Sequence, residues 1–243
     1  MLAVSTATTA SAQNPTGGNV VAGAATISNA GSTLNVNAST DRAVINWQSF
    51  SIGQGNTANF NLPSASSAVL NRVTTPNTPS AIHGALNSNG NVFLVNPSGV
   101  LVGPSGVINT NGFTASTFDI GNRDFMNGGP MTFRGSSTAD IVNQGTINTG
   151  SGGAHFIANQ FNNSGTINSL GGSVTVGSGQ SVTYSNGVTH VEADMATLQN
   201  GYSETASLIN NSGAIRATGA VMAGGEVYLT NPGGKVLNSG AIA

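Results

Sequence analysis

Polar and apolar positions along this chain fall into short alternating strings separated by Gly, Asn, Ser and Pro, and one string keeps returning. Asn143-Gln144-Gly145-Thr146-Ile147 recurs as Asn163-Ser164-Gly165-Thr166-Ile167, Asn211-Ser212-Gly213-Ala214-Ile215 and Asn238-Ser239-Gly240-Ala241-Ile242, with weaker copies at Gly106-Val107-Ile108 and Asn29-Ala30-Gly31. Each cassette reads as a turn followed by a strand. Asn and Gly accept the left-handed backbone conformation, and the next residues resume an extended strand with Ile pointing inward. The full copies are separated by 20, 48 and 27 residues. This spacing predicts one cassette per solenoid coil, with two coils in the 48-residue interval and the variation in length confined to loops. One coil cannot bury its own apolar face. Parallel stacking does, placing Ile on Ile and allowing Asn side chains to hydrogen-bond in ladders. The predicted fold class is all-β, a parallel β-helix or β-solenoid.

Between the cassettes, Ala43 to Phe50 alternates Val44, Asn46 and Gln48 with Ile45, Trp47 and Ser49. Asn91 to Val95, Phe113 to Phe118, Ser173 to Val176 and Gly225 to Leu229 are further short strands bounded by Gly, Asn or Pro. No segment sustains a helical period. Residues 14 to about 62 lack the full cassette and are expected to form the first coils and an N-terminal cap, since an open β-helix end exposes strand edges. Trp47 and Phe50 are assigned to core or cap packing. Residues 1–12, with Ala10 and Ala12 before Gln13, read as the remnant of a secretory leader, leaving 13–243 as one domain. The final Gly240-Ala241-Ile242-Ala243 stops partway through a coil, as expected of the N-terminal part of a longer protein.

Composition narrows the function classes. Charged residues are 6% of the chain against about 25% in ordinary soluble domains, so neutral polar groups must cover the surface. Hydrophobic residues at 38% and an even spread of Val, Ile and Phe argue against disorder. The net charge of -2, a single lysine at Lys235 and five scattered arginines give no basic stripe for nucleic acid and no polybasic anchor for lipid. No apolar run reaches the roughly 18 residues of a membrane-spanning helix, so membrane insertion is not expected and a monomer is. The chain has no cysteine, which excludes disulfides, a thiolate nucleophile and thiolate metal sites. Two reasons stand side by side: a chain that crosses a second membrane unfolded cannot tolerate locked loops, and a solenoid core of this size needs no staples.

Enzymes do occur on β-helices, and their sites need clustered carboxylates. The eight acids are Asp41, Asp119, Asp124, Asp140, Glu192, Asp194, Glu204 and Glu226. Only Asp119/Asp124 and Glu192/Asp194 lie close in sequence. His190, Glu192 and Asp194 form the most metal-like grouping, although a solvated loop is the plainer reading. His83 and His155 stand alone. No catalytic, cofactor-binding or metal-ligating residue is assigned, and no cofactor is expected.

The most distinctive stretch contains Ala68-Val69-Leu70-Asn71-Arg72-Val73, Asn91-Val92-Phe93-Leu94-Val95-Asn96-Pro97-Ser98-Gly99-Val100 and Val107-Ile108-Asn109-Thr110-Asn111-Gly112-Phe113-Thr114-Ala115-Ser116-Thr117, preceded by Ile45-Asn46-Trp47-Gln48-Ser49-Phe50-Ser51-Ile52-Gly53. In order and spacing these segments resemble the secretion domain of filamentous-haemagglutinin-type exoproteins of the bacterial two-partner secretion (TPS) pathway, over most of residues 18 to 243. The family carries two short signatures. Asn96-Pro97-Ser98-Gly99-Val100 matches Asn-Pro-Asn-Gly-Ile with two conservative changes. Asn-Pro-Asn-Leu is absent, and Asn59-Phe60-Asn61-Leu62 in its neighbourhood lacks the proline, a departure that points to an adhesin-like branch.

The resemblance implies a right-handed parallel β-helix with an N-terminal cap and short extra-helical β-hairpins. It also implies a module at the N-terminus of a large exoprotein, exported to the periplasm of a Gram-negative bacterium, recognised by the periplasmic domains of an outer-membrane transporter, and folded at the cell surface or beyond it. The module would direct secretion and nucleate folding, and the whole protein would be an adhesin or haemagglutinin with a host or bacterial surface receptor. Asn96, Pro97, Ser98, Gly99 and Val100 are then candidates for transporter recognition, or simply for a tight turn, Pro97 fixing φ and Gly99 supplying a permissive position. Asn143, Gly145, Asn163, Gly165, Asn211, Gly213, Asn238 and Gly240 are the candidate repeat-turn positions. Two other classes stay open: a glycan- or matrix-binding module and a polysaccharide-active enzyme.

Overall fold

In the computed structural model, residues 14–177, 181–185, 188–192, 208–218, 227–230 and 235–242 are described. The leader reading of residues 1–12 lies outside them. The chain winds into a parallel β-solenoid of about seven turns, each coil contributing to up to three columns of strands. The first column stacks Thr33–Ala38, Thr57–Asn61, Ala85–Ser88, the start of Val107–Ser116, the start of Thr146–Ile157, Thr166–Leu170, Ala214–Thr218 and Ala241–Ile242. The second stacks Arg42–Trp47, Ala68–Val73, Asn91–Val95, the later halves of the two long strands, Val174–Gly177 and Val227–Thr230. The third runs from Ser80–Ile82 through Val100–Val102, Asp140–Asn143, Gln160–Asn163 and Leu208–Asn211 to Lys235–Asn238.

Period-2 alternation turns every second side chain inward, and stacking in register makes columns of like residues. The cassette isoleucines Ile147, Ile167 and Ile215 sit in one buried column with Leu34, Ala58, Leu86 and Ile108. Each Leu or Ile of the column contributes roughly 1.5–3 kcal/mol of burial. Phe113, Phe156 and Phe161 fill the interior beside them, with ring centroids 6.4 Å and 4.6 Å apart. The N-terminal end is closed by two antiparallel strands, Asn19–Ala22 on Arg42–Trp47 and Ala25–Ala30 on Thr33–Ala38. Trp47 and Phe50 pack edge to face under this cap, centroids 5.7 Å apart. The weak copy at Asn29-Ala30-Gly31 is part of this cap: it lies at the hairpin between the two strands, Gly31 at φ 59°.

Two expectations are corrected. The cassette glycines Gly145, Gly165, Gly213 and Gly240 are absent from the positive-φ residues. They are required by space instead: a Cβ on each would lie 2.1–2.4 Å from a glycine carbonyl oxygen of the preceding coil. The 48-residue interval holds one coil, because Gln160–Asn163 pairs directly with Leu208–Asn211. Its extra length is an excursion that includes the antiparallel strands Ser181–Ser185 and Val188–Glu192. A first excursion, residues 117–139, leaves the same corner of the solenoid. It carries the short helix Asn122–Asn127 and the strand Met131–Arg134, which pairs with Ser181–Ser185.

Together the excursions cover the outer face of the second column. Val44, Leu70, Phe93 and Val95 pack there with Phe118, Ile120, Phe125, Met131, Phe133 and Val182 in a second core. Strands such as Asn91–Val95 are therefore apolar on both faces and read as continuous runs rather than alternating ones.

Two Asn ladders run along the solenoid. In one, Asn143, Asn163 and Asn211 each donate an amide hydrogen bond of 2.7 Å to the next asparagine, ending on Asn238. Asn143, Asn163 and Asn211 are buried. In the other, Asn59, Asn87, Asn109, Asn148 and Asn168 each donate back to the preceding coil, down to Asn35, at 2.9–3.2 Å along the wetter face. Asn163→Ala orphans the Asn143 donor from its 2.7 Å bond and the Asn211 acceptor, and is expected to cost about 2 kcal/mol. Asn59→Ala, where water replaces the partner, should cost about 0.5 kcal/mol. Urea unfolding of the two variants checks the difference; equal losses would mean that burial is irrelevant to the ladder.

Candidate recognition surface

Asn96-Pro97-Ser98-Gly99 closes the strand Asn91–Val95 as a β-turn, with the Gly99 N–H donating to the Asn96 carbonyl at 3.0 Å and Gly99 at φ 106°. The Asn96 side chain is fully buried and holds the turn in place. Its Nδ2 donates to the Thr78 carbonyl at 2.8 Å and the Ser80 hydroxyl at 2.9 Å, and its Oδ1 accepts from the Ser98 N–H at 2.9 Å. Gly99 accepts from the Ser80 N–H at 3.0 Å, and Val100 is buried as the first residue of its strand. Asn96, Gly99 and Val100 thus face the protein, whereas Pro97 is exposed and Ser98 half-exposed.

Those two residues form a ridge between two open clefts. One, of about 320 Å³, lies against Val73, Thr74, Thr75 and Pro76. The other, of about 630 Å³, lies between the ridge and residues 134–139 of the first excursion. Ser137 ties that excursion to the turn by donating to the Pro97 carbonyl at 2.6 Å. Two arginines clamp the excursion to the solenoid. Arg72 pairs with Asp119 at 2.7 Å, donates to the Asn122 amide oxygen at 2.7 Å, and also reaches the Ile120 carbonyl. Arg42 donates to the Phe125 carbonyl at 2.8 Å with its guanidinium 5.0 Å from the Phe125 ring centroid. Neither anchor was legible in the sequence, because each spans more than 45 residues.

The carboxylates do not assemble. Asp119 and Asp124 line one cleft, but Asp119 is held by Arg72. Asp194, Glu204 and Glu226 lie outside the described residues, and His190 and Glu192 are fixed only as positions in Val188–Glu192. Among the described residues no three His, Cys, Asp or Glu side chains converge. His155, isolated in the sequence, is completely buried. Its Nε2 lies 2.9 Å from the Gly152 carbonyl and its Nδ1 2.8 Å from the Thr175 hydroxyl. The carbonyl can only accept, so Nε2 carries the proton and Nδ1 accepts from Thr175. Burial lowers the pKa to about 4, opposed more weakly by the Gly152 hydrogen bond.

The profile of the TPS secretion domain matches residues 8–242. This chain belongs to the TPS secretion-domain family. Its fold is similar to that of the HMW1 secretion domain from Haemophilus influenzae, with a TM-score of 0.80 and 32% identity over 95% of this chain and 66% of that one. Two heme/hemopexin-binding proteins of H. influenzae are 42% and 38% identical over 115 and 87 residues, or 47% and 36% of this chain. The chain spans only 13% and 9% of those relatives in these matches. TPS secretion domains belong to exoproteins that are secreted across the outer membrane by a TPS transporter, and the targeting role fits this module.

Proposed function

We propose that residues 13–243 are the address and folding seed of a longer exoprotein, read by the periplasmic domains of its transporter before the chain crosses the outer membrane of a Gram-negative bacterium. The observation that carries this reading is the family match across residues 8–242, within which the Asn96-Pro97-Ser98-Gly99 turn, with Pro97 exposed, is the candidate contact. The module has no catalytic role, and the effector role of the whole protein is handled by other segments. For that whole protein, display as a surface adhesin or haemagglutinin is one reading. The names of the two relatives favour capture of haem or hemopexin as a second.

Deleting residues 13–243 from the exoprotein is expected to abolish its release into the medium; unchanged release would sink the proposal. Two substitutions separate recognition from turn formation. Asn96→Ala removes two buried donors and an acceptor and should cost about 2 kcal/mol of stability. Pro97→Ala, at an exposed position, should cost under about 1 kcal/mol while weakening binding to the transporter's periplasmic domains. Wild-type binding by a folded Pro97→Ala domain would leave that ring without a recognition role.

A further inference from the structure

We infer that a third cleft, of about 330 Å³ between the second strand column and residues 128–131 of the first excursion, is a binding site for one neutral sugar residue. This goes beyond the recognition reading above. Only the folded chain builds the cleft, so its ligand is one met after secretion and is not the transporter.

Glycines keep the cleft open. Gly112, Gly128, Gly129 and Gly152 line it. A Cβ on Gly112 or Gly152 would stand 2.3 or 2.2 Å from the Asn91 Oδ1, and Gly128, at φ 71°, lies against the Arg42 guanidinium. Much of the wall is therefore bare backbone, which a ligand can approach closely. The apolar part of the lining is Ala68, Phe93 and Met131, each at most 5% exposed.

The polar groups set the ligand chemistry. Thr114 is 3% exposed, and its hydroxyl makes no hydrogen bond among the described residues. Unlike the hydroxyls of Thr110, Thr117 and Ser169 it is not sealed from outside, so a ligand that reaches the floor satisfies it. Asn91 and Asn111 present oxygen rather than nitrogen. The Asn91 Nδ2 donates to the Ala65 and Ser67 carbonyls at 3.0 and 3.1 Å, and the Asn111 Nδ2 to the Ala65 carbonyl at 2.9 Å and the Asn91 Oδ1 at 3.3 Å. Both amides have thus spent their donors. Each Oδ1 accepts one bond, from Asn111 and from the Ser151 hydroxyl respectively, and keeps a second lone pair. Ser66 and Ser151 add exposed hydroxyls at the rim. Arg42 is the one charged residue of the lining, and its guanidinium serves the Phe125 carbonyl and ring.

Fixed acceptors and hydroxyls around a small apolar floor match a pyranose, whose hydroxyl groups both donate and accept and whose C–H face is apolar. A carboxylate or phosphate has no proton to give to the two amide oxygens. The volume lies at the low end of the roughly 300–1,000 Å³ usual for ligand sites, room for one sugar residue rather than a chain.

The test is an NMR titration of the 243-residue chain with methyl glycosides. Those of galactose and mannose stand for animal glycans, and those of rhamnose and heptose for bacterial surface polysaccharide. Saturable shifts at the amides of Gly112, Gly128, Gly129 and Gly152 are expected with at least one of them, in the millimolar range, and the sugar that binds names the source. Thr114→Val removes a hydroxyl that has no partner in the fold, so it should melt no lower than wild type while binding that sugar about fivefold more weakly. Gly129→Leu, where nothing lies within 4 Å of a new Cβ, narrows the mouth and should weaken binding at least as much. If Thr114→Val melts early, Gly129→Leu decides. No shift at these glycines with any of the four sugars would overturn the site, as would wild-type binding by the folded variants. Tighter binding of glucuronate than of glucose would overturn the neutral assignment and give the cleft to a carboxylate.

Discussion

Gly165→Ala is expected to destabilise the solenoid by about 4 kcal/mol, enough to remove a large share of the roughly 5–15 kcal/mol that holds a domain folded. A Cβ at this position would stand 2.2 Å from the Gly145 carbonyl oxygen, 2.7 Å from the Gln144 carbonyl carbon and 2.8 Å from the Gly145 nitrogen. All three are backbone atoms, so no side chain can swing aside. Relief requires prising two coils apart by about 1 Å, which strains the bonds from the Ser164 and Gly165 N–H groups to the Asn143 carbonyl at 2.8 and 3.0 Å. The Asn143 to Asn163 side-chain bond at 2.7 Å spans the same gap. Gly129→Ala is the control, since nothing lies within 4 Å of its new methyl and its φ is not positive; it should stay within about 0.5 kcal/mol of wild type. Urea unfolding measures both. Equal stability of the two variants would mean that the coil spacing is looser than the turn geometry requires.

The same glycines show what the sequence could and could not reveal. The recurrence of Asn-x-Gly-x-Ile was enough to place Ile147, Ile167 and Ile215 in one column, since period-2 alternation and parallel stacking leave little choice. It could not say why Gly was needed, because a left-handed turn and a steric cradle demand the same residue. The interval between Asn163 and Asn211 misleads for a similar reason. Sequence distance counts residues, whereas coil closure is set by pairing, and the Ser181–Ser185 and Val188–Glu192 hairpin adds residues without adding a coil. A further signal is in the sequence: Thr-x-Asn recurs at Asn35, Asn59, Asn148 and Asn168, four of the six members of the outer ladder.

The recognition surface was half legible. Asn96 to Gly99 was readable as a turn from Pro and Gly alone. The groove beside it was not, because its walls come from residues 97–98 and 134–139, brought together by Arg72 and Arg42 reaching 47 and 83 residues along the chain. Contacts of that reach leave no periodic trace. The runs Ala68-Val69-Leu70 and Val92-Phe93-Leu94-Val95 were the one hint that something covers the second column, since a strand wet on one face would alternate.

Stability should fall as the pH drops through the window between about 6.5 and about 4, and His155 is the reason. A histidine in the unfolded chain takes up its proton near pH 6.5, whereas burial keeps the folded His155 neutral down to about 4. Across that window the unfolded state binds the extra proton, so acid favours unfolding. The effect is absent above pH 6.5 and complete below pH 4. The gap between the two pKa values corresponds to about 3 kcal/mol at 1.36 kcal/mol per unit. Asp140 works in the opposite direction: its pKa is raised by burial, so acid relieves a charge that the fold disfavours. A substitution is therefore needed to isolate the histidine. Gln in place of His155 can still donate to the Gly152 carbonyl and accept from Thr175 but cannot titrate. His155→Gln is expected to lose about 1 kcal/mol at pH 7.5 through imperfect packing and to flatten the stability profile between pH 6.5 and 4. Urea unfolding at half-unit pH steps gives both curves, and an unchanged slope in His155→Gln would assign the acid sensitivity to other groups.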